Sequence, residues 1–185
     1  MMRFTSQIDT SLPIIGIDLG YSSTAKSCGI TSTFSDISHE LTFGECVDFV
    51  MTILQENGPQ ILIIEAVLST YHLPNGNPFI RGEFEKGRGW YHGPGVSTFA
   101  AAIRLLNLLN EGLPKEIQSI PIIEGFLSYK SKRTTHREDA TRLVNEFEKA
   151  ERFHPHPDSE PILPLIDLPP SILRYNQPQR KGTKG

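Results

Sequence analysis

Two kinds of apolar pattern alternate along the chain. Leu12-Pro-Ile-Ile-Gly-Ile-Asp-Leu-Gly20 and Gln60-Ile-Leu-Ile-Ile-Glu65 are short aliphatic runs, and each ends in an acid. Runs of this length that do not alternate belong inside a sheet with both faces covered. Ala25 to Thr33 and Phe34 to Phe43 are weaker strand candidates, joined by tight Ser- and Gly-containing turns. From Gly44 to Glu56 the period changes. Cys46, Phe49, Val50, Ile53 and Leu54 recur at helical spacing, and Asn57-Gly58-Pro59 stops the helix. Phe99 to Leu109 is a second amphipathic helix, with Phe99, Ile103, Leu106 and Leu109 on one side and Gly112 past its end. Ile120 to Glu124 reads as a further strand, whose Pro121 either marks an edge or is its first residue. Thr134 to Arg152 reads as a third helix, opened by the capping-box pattern Thr135-x-x-Glu138.

Two segments have no such period. Ser69 to Thr98 is rich in glycine and proline, with Arg81, Lys86, Arg88, Trp90, Tyr91 and His92 interspersed. A connection of that length inside a compact domain is uncommon without a job, so it is expected to be a functional loop or flap. His154 to Gly185 interleaves seven of the 14 prolines with Ile162, Leu163, Leu165, Ile166, Leu168, Ile172 and Leu173. That is too apolar for a solvated tail and too proline-rich for regular structure, so residues 154–185 should lie extended across the body or a partner subunit. The expectation is an α/β domain over residues 1–153 followed by this extension, with a homodimer as one way to cover it. No internal repeat is visible.

Composition narrows the classes. The 185 residues, 38% hydrophobic and 21% charged, suit one globular domain that needs no metal or disulfide to fold. No apolar run approaches the roughly 18 residues that span a bilayer, and Met1 to Ser11 has no basic region followed by an apolar signal core, so a cytoplasmic, non-membrane protein is expected. Cys28 and Cys46 read as buried thiols rather than a bridge. A net charge of −3 argues against coating nucleic acid through the overall field but leaves room for a local basic patch.

The candidate chemistry lies in three acids. Asp18 closes the first strand, Glu65 closes the strand after the first long helix, and Asp139 falls in the first turns of the last helix. If those strands are parallel neighbours, both acids emerge at the same carboxyl edge, where open α/β sheets bind ligands. At 100° per residue His136, Ala140, Leu143 and Phe147 share one side of the last helix, with Asp139 at its border and Glu138 roughly opposite. Two bare carboxylates about 4 Å apart repel by roughly 4 kcal/mol at an effective dielectric of 20. A divalent cation removes the conflict, and oxygen donors favour Mg²⁺ or Mn²⁺, the ions that activate water in phosphodiester cleavage. Gly20 would let backbone approach a phosphate.

These residues resemble a family. The order strand-Asp, helix, strand-Glu, late-helix Asp is similar to the RNase H-like nuclease superfamily, especially its RuvC-type resolvase branch. More narrowly, Gly16-Ile-Asp18-Leu-Gly20, Ile64-Glu65-Ala66-Val-Leu-Ser69, Ile123-Glu124-Gly125 and His136-x-x-Asp139-Ala140 resemble the motifs of a bacterial and archaeal group of predicted RNase H-like nucleases. The resemblance covers residues 13 to 147. Val67 departs from it, standing where that group has proline. It implies an RNase H-like mixed sheet flanked by helices and a Mg²⁺- or Mn²⁺-dependent nuclease acting on DNA or RNA. Asp18, Glu65 and Asp139 would be metal ligands, Glu124 a fourth, and His136 a group that positions water or phosphate.

Other readings stand beside this one. Asp18 followed by Gly20 could be a turn residue, Glu124 could pair with Lys130 or Arg133, and His136 could be a core-edge histidine. Lys132, Arg133 and Arg137 around the last helix, with Arg81 and Arg88 in the long loop, could hold a phosphate backbone while Trp90 or Tyr91 stacks on a base. Trp90 could equally anchor the loop. Asp18-Leu-Gly20-Tyr-Ser-Ser-Thr24 also resembles the first phosphate loop of actin-like ATPases and sugar kinases, but those enclose ATP between two lobes that this length does not supply. A non-catalytic nucleic-acid or protein-binding module is the remaining alternative.

Overall fold

The computed structural model describes residues 9, 11–35, 37–68, 72–80, 89–117, 120–125 and 134–149, with 69–70, 160–161 and 172–174 as backbone alone. Strands β1 (Ile14–Asp18), β2 (Cys28–Ser32) and β3 (Ile37–Leu41) form an antiparallel meander. Helix α1 (Phe43–Asn57) carries the chain across to β4 (Ile61–Glu65), which pairs parallel with β1. After β5 (Ser69–Thr70), helix α2 (Gly93–Gly112) makes a second crossover to β6 (Ile122–Glu124), parallel to β4, and α3 (His136–Lys149) follows. The sheet runs β3-β2-β1-β4-β6, with β8 (Ile172–Arg174) parallel on the outer side of β6. β7 (Glu160–Pro161) pairs antiparallel with β5. The architecture is mixed α/β, as expected.

The two crossover helices pack on one face. Ile15, Ile17, Ile30, Leu62, Ile64 and Ile122 from the sheet meet Val50, Leu54, Leu105, Leu106 and Leu109 there. Helix α3 covers the other face with Leu143, Val144 and Phe147 against Ile14, Ile61, Ile63 and Ile123. It lies very close to the sheet. A Cβ on Gly16 would stand 2.6 Å from the Ala140 carbonyl oxygen, and one on Gly29 would overlap the backbone carbonyl of His136. Hydroxyls fix the seat further, since Thr141 Oγ1 lies 2.9 Å from Thr31 Oγ1, itself 3.2 Å from Ser38 Oγ.

Most elements fall where the sequence puts them, and the differences have local causes. α2 begins at Gly93 rather than Phe99, because Pro94 in a first turn forfeits no helical hydrogen bond. Pro121 directly precedes β6, and its carbonyl accepts the Leu62 N–H at 2.9 Å. α3 begins at His136, after the Thr135–Glu138 capping box: Glu138 Oε2 accepts the Thr135 N–H at 2.8 Å, and Thr135 Oγ1 accepts the Glu138 N–H at 3.2 Å. Residues 150–152, and the tail apart from its two short backbone pairings, lie outside the described residues. Cys28 and Cys46 are free buried thiols. Among the described residues no helix is long and apolar enough to cross a membrane.

Candidate functional site at the carboxyl edge of the sheet

The parallel register between β1 and β4 sets Asp18 directly beside Glu65. Side chains alternate along a strand, so Asp18 shares the face of Ile14, and Glu65 that of Ile61 and Ile63, which is the face α3 covers. Both acids close their strands, Asp18 at 8% exposure and Glu65 half-buried. In-register parallel neighbours stand about 4.8 Å apart. At that spacing two carboxylates repel, so their adjacency is costly unless a cation or proton compensates.

Helix α3 brings two further groups over this pair. His136 Nδ1 lies 2.8 Å from Asp18 Oδ2, and because a carboxylate only accepts, the ring N–H donates. The His136 side chain remains 48% exposed, so it links the buried acid to solvent. Asp139, one turn nearer the core and 1% exposed, faces the sheet beside Leu143. Its two oxygens each accept from Thr134 Oγ1 at 2.9 Å, and Arg142 Nη1 stands 3.6 Å from Oδ1.

Glu124 is set apart from these residues. Its strand neighbour Ile122 belongs to the α1–α2 side, so the same alternation turns Glu124 away from Asp18 and Glu65. Fully buried there, its Oε1 accepts the Leu68 N–H at 3.1 Å and holds the chain just after β4. The fourth-ligand expectation for Glu124 therefore meets a carboxylate on the other side of the sheet.

The remaining predicted residues divide in the same way. Gly20 must be glycine because a Cβ would overlap the Ser27 carbonyl, a contact internal to the β1–β2 loop. Trp90 is half-buried, donates from Nε1 to the Phe79 carbonyl at 3.0 Å, and meets His72 and Tyr91 edge-to-face, which anchors the loop. Arg137 is exposed at the start of α3, and its backbone N–H lies 3.5 Å from Glu40 Oε1. Arg81, Arg88, Lys132 and Arg133 lie outside the described residues. Cys28 donates to the Gly20 carbonyl at 3.2 Å. A hydrogen bond from Cys46 holds the Cys28 thiol below its ordinary pKa, and the same bond together with burial pushes Cys46 well above its own.

Sequence reasoning did not single out Thr134, Arg142 or Tyr21. Arg142 follows Asp139 at i+3, a helical ion-pair spacing that could have flagged it. The Thr134 contact closes across the start of the helix and has no periodic signature.

The donor chemistry fits a hard divalent cation: oxygen ligands only, two of them adjacent and buried at a sheet edge. Their present arrangement is not a closed cage. Among the described residues no three His, Cys, Asp or Glu side chains converge so as to hold a metal ion. Asp139 accepts from Thr134 and lies near Arg142, and a carboxylate that accepts one hydroxyl keeps lone pairs for a further partner. No family model, curated protein or solved structure matches the chain.

Proposed function

We propose that the chain is an RNase H-like, divalent-cation-dependent nuclease that hydrolyses phosphodiester bonds in nucleic acid. The observation that carries this reading is the in-register pair Asp18 and Glu65 at one carboxyl edge, under a helix whose His136 is hydrogen-bonded to Asp18. Asp18, Glu65 and Asp139 would hold Mg²⁺ or Mn²⁺. Bound there, the ion would polarise the phosphoryl group and lower the pKa of its water. His136 orients the Asp18 carboxylate through Nδ1, and its exposed ring can take a water or a phosphate oxygen. Arg137 stands at the mouth, suited to the phosphate backbone.

The test is cleavage of labelled single-stranded, duplex, hybrid and branched substrates in Mg²⁺ or Mn²⁺. Asp18→Asn and Glu65→Gln should each lower cleavage by more than about a hundredfold, since loss of even an outer partner of a metal site costs roughly 10- to 100-fold. Glu124→Gln should retain activity. Equal cleavage by wild type and Asp18→Asn would overturn the proposal. One observation favours a second reading, a non-catalytic nucleic-acid or protein-binding module: Asp139 accepts from Thr134 and stands beside Arg142, contacts that a structural acid would make. That reading predicts binding without cleavage in either ion.

A further inference from the structure

We infer that Tyr21 is a stacking platform for an unpaired nucleobase, which makes single-stranded nucleic acid, or an unpaired stretch within a larger one, the substrate class of the acid edge. This inference rests on the proposed nuclease reading and adds the form of the substrate to it. Tyr21 follows Asp18 by three residues, where β1 passes into the loop leading to β2, so it stands at the edge where Asp18 and Glu65 end. Its ring is 55% exposed, a large area for an aromatic to leave in water. It is nevertheless held. Phe43 meets it edge-to-face at a centroid distance of 4.9 Å and an angle of 74°.

The backbone on both sides is pinned as well. The Gly20 carbonyl accepts from Cys28 Sγ, and the Ser22 carbonyl accepts the Phe43 N–H at 3.1 Å. Ser22 Oγ accepts the Ala25 N–H at 2.9 Å, closing the turn that follows. An aromatic on a braced loop loses little freedom when a base settles on it, which is the condition for stacking to yield affinity.

A second aromatic group rises from the same edge. The chain leaves β4 after Glu65 and gathers His72, Trp90, Tyr91 and His92 into edge-to-face and tilted contacts 4.4 to 5.6 Å apart before α2 begins. Rings are thus carried by both the loop that follows β1 and the connection that follows β4, the two strands whose carboxyl ends bear the acids. Every base has a π-face, but only an unpaired one can offer it to a side chain, so this arrangement selects strands whose bases are free.

The experiment measures equilibrium binding of fluorescein-labelled single-stranded DNA and RNA 12-mers, and of a blunt 12-base-pair duplex of two annealed strands, by anisotropy in EDTA, where no cleavage occurs. Tyr21→Leu keeps an apolar contact for Phe43 but removes the π-face, and it should weaken single-strand binding by roughly 5- to 100-fold, the range for loss of one stacked base. Tyr21→Phe should bind like wild type, and the duplex should bind more weakly than the single strands to both. Unchanged single-strand affinity in Tyr21→Leu, a duplex bound by wild type as tightly as the single strand, or no single-strand binding by wild type would each overturn the inference. An unchanged melting temperature for Tyr21→Leu certifies the fold. Because the readout is binding without metal, it separates from the cleavage test: loss of cleavage in Asp18→Asn with no effect of Tyr21→Leu would leave a nuclease whose substrate is gripped elsewhere.

Discussion

On one side of the sheet two helices bury a broad apolar layer in which Leu54, Leu105, Leu106 and Leu109 are fully enclosed. On the other side a single helix sets Leu143, Val144 and Phe147 on a thin layer of Ile14, Ile61, Ile63 and Ile123 and on backbone exposed by Gly16 and Gly29. The acid that accompanies each layer differs accordingly. Glu124, under the thick layer, is occupied with the Leu68 N–H. Asp18 and Glu65, under the thin one, border a half-exposed histidine. The sheet separates the larger apolar layer from the adjacent acids Asp18 and Glu65 by face, and the glycines let the face with the acids be covered closely without being filled.

This contrast can be broken by substitution. The largest expected effect on stability lies on the thick side, where Leu105→Ala should cost about 2–5 kcal/mol in urea unfolding while leaving activity per folded molecule intact. A smaller loss, about 1–3 kcal/mol, is expected for Gly29→Ala, because the new methyl meets the His136 carbonyl and forces α3 outward. Here activity should fall further than stability, on the order of 10²-fold, since His136 and Asp139 travel with the helix. If Gly29→Ala cleaved normally and Leu105→Ala did not, the division between the faces would be wrong.

The smallest effect concerns the start of α1. Thr42 Oγ1 accepts the Glu45 N–H, and Glu45 Oε2 accepts the Thr42 N–H at 2.8 Å. Thr42→Ala should therefore cost about 1 kcal/mol. The Thr42 N–H and the Thr42 hydroxyl, both donating to Glu45 Oε2, hold the Glu45 carboxyl below its ordinary value of 4.5. A carboxyl whose folded pKa is lowered stabilises the fold fully above the unfolded value, and that stabilisation drains away as pH falls from there through the folded value. The difference in melting temperature between wild type and Thr42→Ala should accordingly narrow as the medium is acidified below that point without closing, because the Glu45 N–H bond to Thr42 Oγ1 does not titrate.

Much of this architecture was legible because it rests on local pattern. The aliphatic runs ending at Asp18 and Glu65, the helical period from Cys46 to Leu54 and the Thr135–Glu138 cap each advertise themselves within a few residues. The start of α2 did not, because Gly93-Pro94-Gly95 has loop composition while a proline in a first turn is harmless. The face that Glu124 takes was hidden for a different reason: it ends its strand as Glu65 does, and only the neighbour register decides which way each one turns. Ile122 two positions earlier carried that information, had its face been assigned. Gly29 and Tyr21 owe their roles to contacts with Arg137's neighbour His136 and with Phe43, which no short window contains.

The Glu124 bond to Leu68 has a mechanical consequence. A pull on the long connection past β4 meets a bolt at its root, and the load passes into β6 and its parallel ladder instead of reaching the two acids one strand away. The span beyond can be tugged by whatever it grips while the doorpost stays square.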